Sequence, residues 1–491
     1  MSLRRLLKGG LFFGREIGSK AKFFLLRNFI LINLPQINYK MSKSISDINQ
    51  NNVNADPAKG FFVSMLIKDI TLRDAIGDLV DNAVDAIKAR ANGSANLKGY
   101  EIEIKLGKSY FSITDNGFGM EAEVARETAF NFGKSDKHHL IDKSIGQFGI
   151  GMKRAFFKLG SKIKVKSVAA TSQFELTIDV PEWLKKPKEW SFKFDKDTLI
   201  ENSKNIPSKT GFVVHITELS DDSKLSFGNE TFITTLQKEI ELEHMLNINN
   251  GIKIKIGDYT LKSNHITLVN DENIKPTYWE KIEKKQAVKI LAGISTKDSE
   301  DGGWYIFCNN RLILGKNKND ETVWTGSKGD GVPLWHAQFH RFRGYVFFDA
   351  EDSSNLPWNT TKTGMDKDSP YYKEVRAKMI IMTRQVMEML EKLKDEKGKD
   401  NPLENQTLNK VIEKSLKKTT PVIEILSNTK QLSNKFVYPV KLYNPPNKTN
   451  TVKIDYLVTT EKYEAVKERL GVNSPKEVGL ETFNYYYDNE I

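Results

Sequence analysis

Residues 72–86, LRDAIGDLVDNAVDA, place four acids and one amide in a stretch that otherwise reads as a buried helix. At about 100° per residue, Asp78, Asn82 and Asp85 share one stripe, while Ile76, Leu79, Val80, Ala83 and Val84 cover the rest of the surface. Such a stripe is either a solvent face or a site. If it is a site, a carboxylate and an amide one turn apart suit two adjacent jobs. Asp78 can orient and deprotonate an attacking water. Asn82 offers a hard oxygen to Mg²⁺, an ion that keeps several of its own waters.

Two further motifs decide between the readings. ITDNGFGM (113–120) is an apolar strand running into Asp115, Gly117, Gly119 and Met120. An aspartate at a strand end accepts a hydrogen bond from an exocyclic amine such as that of adenine, and glycines let a planar base approach the backbone. IGQFGIGMKRA (145–155) sets Gly146, Gly149 and Gly151 just before a helix, with Gln147, Phe148, Ile150 and Lys153 among them. A glycine-rich turn opening a helix presents free N–H groups and the positive end of the dipole to phosphates. Each motif alone is an ordinary turn; all three in this order make the polar stripe a surface that faces a nucleotide.

The elements that must position these residues follow from periodicity. A helix is expected over 61–90, then strands over 100–107 and 109–117 and a helix over 121–133. A Lys/Asp/His-rich loop covers 133–143, and a helix covers 151–160. Alternating segments at 161–169, 172–180, 189–195 and 210–219 predict an antiparallel sheet covered by helices on one face, followed by a helix over 229–247 and a strand pair over 251–261. The expected domains are a basic extension and polar lead-in (1–56), a first α+β block (57–270) and a second α/β block (271–397). A linker and small α/β C-terminal unit (398–491) would follow. The second block ends in a long helix whose apolar positions are Tyr372, Val375, Met379, Met382, Val386, Met389 and Leu393. In the last unit, strands are expected at 435–443 and 452–460, then a helix to Gly471 and one capped by Ser474 with Pro475 in its first turn.

With 491 residues, 39% hydrophobic and 28% charged, the chain has ample material for folded cores. One cysteine, Cys308, excludes an intramolecular disulfide and a cysteine-rich metal site and suits a reducing, cytoplasmic setting. Residues 1–40 hold eight Lys/Arg against the single acid Glu16, so most of the net +11 resides there and global charge is a poor argument for nucleic acid. That segment has no apolar run long enough to span a membrane. It reads as an amphipathic targeting or membrane-surface segment or, the preferred reading, as an upstream extension with Met41 as the working start.

DLVDNAVDA, DNGFGM and GQFGIGMK resemble the three signature boxes of the GHKL ATPases, the ATP-binding domains of type II topoisomerases, the ninety-kilodalton heat-shock chaperone, histidine kinases, MutL and MORC proteins. The resemblance covers about 57–220. It implies a Bergerat-type α/β sandwich binding ATP and Mg²⁺ under a lid formed by 131–150. Asn82 would ligate Mg²⁺, Asp115 would bind adenine beside Gly117 and Gly119, and Gly146, Gly149 and Gly151 would wrap the triphosphate. Asp78 stands where the family uses Glu, one methylene longer, so slow hydrolysis is expected. Phe212 stands where the family often has Thr, which removes a second adenine-side hydrogen bond. Lys153 in GIGMKRA is similar to the MORC form of the phosphate box, to touch phosphate or to snorkel. Arg311 reads as a structural ion-pair residue.

FCNNRLIL and NLPWNTTKTGMD are similar to the ribosomal-S5-like transducer domains of gyrase- and MutL-type members, where a loop lysine reaches the γ-phosphate; Lys362 is the match. The chain shows neither a phosphoacceptor helix nor a toprim, endonuclease or chaperone middle domain. The outline is nearest to a compact MORC-like protein, with the heat-shock-chaperone type beside it. The resemblance therefore implies an ATP-gated homodimeric clamp, on DNA by family analogy and by the Lys-rich segments 133–143 and 408–418. A chaperone-like remodelling ATPase and a nucleotide switch with little hydrolysis are the alternatives.

Overall fold

The acidic helix begins at a reciprocal cap. The Thr71 hydroxyl accepts the Asp74 N–H at 3.1 Å, and the Asp74 carboxylate accepts the Thr71 N–H at 2.9 Å. This cap splits the single helix expected over 61–90 into α1 (Lys59–Lys68) and α2 (Leu72–Arg90). The computed structural model describes residues 57–133, 143–146, 149–202, 209–327, 329–397, 407–439, 452 and 454–490. The basic N-terminal segment, residues 134–142 of the Lys-rich loop, Gln147 and Phe148 lie outside the described residues.

The protein is mixed α+β. After α2 come β1 (Glu101–Leu106), β2 (Tyr110–Asp115), a short helix α3 (Ala122–Val124) and α4 (Gly151–Leu159). Next are β3 (Gly160–Val168), β4 (Ser172–Asp179), α5 (Val180–Leu184), β5 (Ile200–Glu201) and β6 (Gly211–Leu219). Helices α6 (Asp221–Phe227), α7 (Glu230–Glu243) and α8 (Met245–Asn249) then lead to β7 (Lys253–Ile256) and β8 (Tyr259–Thr260). The strands form one eight-stranded sheet in the order β5-β4-β3-β6-β2-β1-β7-β8. Every pair is antiparallel except β1–β7, which is parallel.

Alternation assigns the faces. On β3, Ile163 and Val165 are buried while Lys162, Lys164 and Lys166 are exposed, so one face is covered and the other meets water. On β2 the buried set is Phe111, Ile113 and Asp115, so the carboxylate sits on the covered face in register with two core residues. A one-residue slip would turn it to solvent.

Two expectations here fail. Residues 189–195 form no strand: a single bridge joins Leu176 and Phe194. Their alternating aromatics instead fill a cluster in which Trp190 meets Trp183 at 5.5 Å and Phe194 meets Phe174 at 4.8 Å between ring centres. The helix expected over 121–133 is α3 followed by a π-helical turn, Ala125–Ala129.

The second sheet follows a short strand, β9 (Thr267–Val269). Its strands are β10 (Thr277–Ile282), β11 (Gln286–Ile294), β12 (Gly303–Cys308), β13 (Arg311–Asn317) and β14 (Phe342–Ala350), in the order β10-β11-β14-β12-β13. The long helix α9 (Pro370–Glu396) packs on β11 and β14. Its apolar stripe from Tyr372 to Leu393 is buried at each expected position.

The C-terminal stretch departs from a separate α/β unit. The helix α10 (Thr407–Ser415) buries Leu408 and Ile412 in the main core, and β15 (Thr419–Pro421) pairs with β9 ahead of a short helix, α11 (Val422–Ser427). Described residues of the two expected strands, 435–439, 452 and 454–459, are not in strands, and Thr460 opens the next helix; residues 440–443 and 453 lie outside the described residues. Helix α12 (Thr460–Leu470) ends on left-handed Gly471, and α13 (Pro475–Glu490) is capped by Ser474, whose hydroxyl accepts the Glu477 N–H at 3.2 Å. Residues Ala58–Ile491 cluster as one unit. No helix among the described residues is long and apolar enough to cross a membrane.

Candidate nucleotide site

A cavity of about 590 Å³ opens between the first sheet and the helices on its covered face. That volume suits a small organic ligand. Its floor is Ile113, Asp115, Phe212 and Val214; its wall is the α2 stripe Asp78, Asn82, Asp85, Ala86 and Ala89. The third side is formed by Gly146, by Gly149 and Ile150, and by the start of α4 from Gly151 to Arg154, and Thr360 and Lys362 enter from the second block.

Asp115 lies at the apolar end. One carboxylate oxygen accepts the Gly117 N–H at 2.8 Å, and burial raises its pKa to about 7. Gly117 itself does not line the cavity: a Cβ there would fall 2.7 Å from the Ala86 carbonyl carbon, so glycine lets the turn lie against α2. Gly119 has φ +75°, and a Cβ there would stand 2.2 Å from the Val168 carbonyl oxygen. Met120 lines the cavity. Phe212 forms part of the floor, and the nearby Thr210 hydroxyl donates to the Gly117 carbonyl at 2.6 Å.

At the polar end, the Gly-rich turn is held from below. Asp85 accepts the N–H groups of Ile145 and Gly146 at 2.8 and 2.9 Å, and burial raises it to about 6. Asp85 therefore shapes the turn. Gly149, Ile150 and Gly151 line the cavity, and a Cβ on Gly151 would crowd Asp78 at 3.3 Å. Ile150 supplies no side-chain cap to α4, so the first-turn N–H groups remain available to an anion. Lys153 is buried, and its ammonium donates to the carbonyls of Ala129 and Gly149; burial lowers it to about 8.

Asp78 is gripped from two directions. Arg154 Nε donates to Oδ2 at 2.6 Å, and Lys362 Nζ lies 3.4 Å from Oδ1. Lys362 also donates to Asp81 at 2.7 Å. Asp81 is fully buried; it accepts Arg311 Nε at 2.7 Å and sits 3.2 Å from His244 Nε2. Burial opposes its charge, but Arg311, Lys362 and His244 together hold the carboxyl well below the usual range. Arg311 also reaches Glu243 at 3.2 Å and the Lys362 carbonyl at 3.2 Å. Lys362 has φ +58° in a turn built on Asn359, whose carbonyl accepts the Lys362 N–H at 3.0 Å.

The structure thus brings Asp78, Asn82, Asp85, Asp115, Gly119, Met120, Gly146, Gly149, Ile150, Gly151, Lys153 and Lys362 to one cavity. Arg154 and Asp81 are the residues sequence reasoning missed. Asp81 had a signal, because a carboxylate on the apolar side of a helix demands a buried partner.

No group of three or more His, Cys, Asp or Glu side chains that could hold a metal occurs among the described residues. A hydrated Mg²⁺ bound mainly by phosphates needs only one or two protein oxygens, and Asn82 beside the cavity acids meets that need.

Residues 70–210 match the family model of histidine kinase-, DNA gyrase B- and HSP90-like ATPases. No curated protein matches the chain. The matched segment contains the acidic helix, the Asp-Gly turn and the Gly-rich turn that converge on the cavity, and the match supports membership of the GHKL ATPase superfamily.

Proposed function

We propose that the protein is a slow Mg²⁺-dependent ATPase whose second block reads the γ-phosphate through Lys362. The observation that carries this reading is the position of Lys362: a side chain from residues 271–397, buried in the cavity and shared by Asp78 and Asp81. Asn82 would hold Mg²⁺, which offsets phosphate charge. An incoming γ-phosphate competes with both carboxylates for the Lys362 ammonium. Its departure leaves Asp78 Oδ1 free to orient a water and take its proton as oxygen attacks phosphorus and the bond to the β-phosphate oxygen breaks. Arg154 stays on Oδ2 and fixes the carboxylate.

On this reading, 57–270 is the ATP-binding domain, 271–397 a ribosomal-S5-like transducer, and ATP closes two protomers into a MORC-like clamp. DNA is the favoured substrate of the clamp, supported by exposed Lys410, Lys414, Lys417 and Lys418. A protein client is the second reading. It is favoured by the exposed Leu457, Phe483, Tyr485, Tyr486 and Tyr487 near the C-terminus. Binding to duplex DNA that weakens steeply with salt supports the first, and salt-insensitive client binding the second. Light scattering tests the clamp: a non-hydrolysable ATP analogue with Mg²⁺ doubles the molar mass and ADP does not. Unchanged mass despite bound analogue would remove the clamp from the reading.

Asp115 gives this reading a pH signature. Its raised pKa, about 7, means that many nucleotide-free molecules carry the neutral acid near neutrality. An amine donor on adenine favours the carboxylate, so binding releases a proton and ADP affinity rises with pH, by about tenfold from pH 6 to 8. Calorimetric titration of wild type and Asp115→Asn checks this; the variant binds weakly and without that pH dependence. Affinity falling with pH would instead make Asp115 a proton donor to the base.

A further inference from the structure

The two-residue turn between β12 and β13 is Asn309–Asn310, with φ values of 47° and 68°. Both are left-handed, the geometry that matches the twist of a tight hairpin and that asparagine tolerates. Asn309 is only 2% exposed. Its side-chain amide uses every hydrogen-bonding group it has. Nδ2 donates to the Ser144 carbonyl at 2.9 Å and to the Ala350 carbonyl at 3.1 Å, while Oδ1 accepts the Ala350 N–H at 2.9 Å. Its main-chain carbonyl accepts Lys88 Nζ at 2.9 Å, which ties the turn to α2.

Ser144 opens the Gly-rich turn, and its neighbours are tied to the same end of the second sheet, just past the last residue of β14. The Lys143 N–H donates to the Glu351 carbonyl at 3.0 Å, and the Ser353 hydroxyl donates to the Gly146 carbonyl at 3.4 Å. From the opposite side, Asp85 takes the N–H groups of Ile145 and Gly146. Residues 143–146 are therefore suspended between α2 and the second sheet. The buried Asn309 amide is the side chain that joins them to β14.

We infer that Asn309 is a positioning residue for phosphate binding: the second sheet, through this amide, holds residues 143–146 in the shape that receives the phosphates. This rests on reading the cavity as a nucleotide site. A turn whose backbone wraps an anion binds more tightly when it is ordered in advance, because the ligand then does not have to order it. The second sheet would thus set phosphate affinity as well as respond to the γ-phosphate through Lys362.

The test compares adenosine, ADP and a non-hydrolysable ATP analogue on the full chain by calorimetric titration. Asn309→Gly keeps the left-handed backbone and removes the amide. Asn309→Asp keeps the acceptor for the Ala350 N–H and removes the donor to Ser144. Both variants are expected to bind ADP and the analogue about tenfold more weakly and adenosine with unchanged affinity. ADP affinity within twofold of wild type in both variants would overturn the assignment. So would equal weakening of adenosine and ADP, which would mark a general role in the fold. Wild-type protein that binds neither adenosine nor ADP would overturn the nucleotide reading itself, and the assignment with it.

Discussion

Replacing Lys362 by alanine is expected to lower kcat for ATP hydrolysis by about 100-fold while leaving ADP affinity within about twofold of wild type. Both halves follow from how the ammonium is held. Asp78 keeps Arg154 at 2.6 Å and Asp81 keeps Arg311 at 2.7 Å when Lys362 is removed, so neither buried carboxylate is left without a cation. Lys362 is the cation shared by the two acids and carried on the longest flexible stem, so it is the one a third anion can draw away. ADP ends at its β-phosphate and makes no use of a γ-phosphate ligand; ATP does. Steady-state phosphate release and calorimetric ADP titration on the same preparation check the prediction. Light scattering adds a readout of coupling: the analogue no longer doubles the mass of the variant. Unchanged kcat would refute the sensor, and loss of ADP and ATP binding together would make Lys362 a structural group.

Most of this site could be read from local patterns, because its parts lie on short segments with strong periodicity. The helical repeat put Asp78, Asn82 and Asp85 on one stripe, and the strand alternation carried Asp115 to the covered face. What local pattern could not supply was the partner across the fold. Asp81 meets Arg311 and Lys362, which lie 230 and 281 residues away. Nothing within a helical turn of Asp81 points to either. The adjacent pair Lys153 and Arg154 shows the same boundary. Sequence alone left Lys153 either to touch phosphate or to snorkel and gave Arg154 no role, yet successive residues on a helix face directions about 100° apart. Lys153 turns to the carbonyls of Ala129 and Gly149, and Arg154 turns to Asp78.

The misread segments fail for a related reason. Residues 189–195 alternate as a strand does, but alternation records only which side chains are buried. Here the aromatics face a cluster while the backbone follows an irregular path. The long helix α9 was readable because a stripe extending from Tyr372 to Leu393 has no comparable rival conformation.

The second large effect concerns Arg311. Arg311→Met is expected to destabilise the fold by about 3–5 kcal/mol, a large part of an ordinary domain's stability. Methionine restores much of the volume, so the loss is chiefly electrostatic. Asp81, fully buried, would keep only Lys362 and the His244 ring against the desolvation of its charge, and Glu243 would lose its partner. Asp81 is held well below the usual carboxylate range, so it stays ionised at ordinary pH. Its contribution is present above the unfolded pKa and is lost only in strong acid, so the destabilisation is flat from about pH 5 to 8. Denaturant unfolding at several pH values measures it. The double variant Asp81→Leu/Arg311→Met removes both buried charges, and its stability is expected to exceed that of Arg311→Met alone. A single variant within about 1 kcal/mol of wild type would show that Lys362 and His244 suffice for Asp81. In that case the contact between α2 and the hairpin would depend on Asn309 and Lys88 instead.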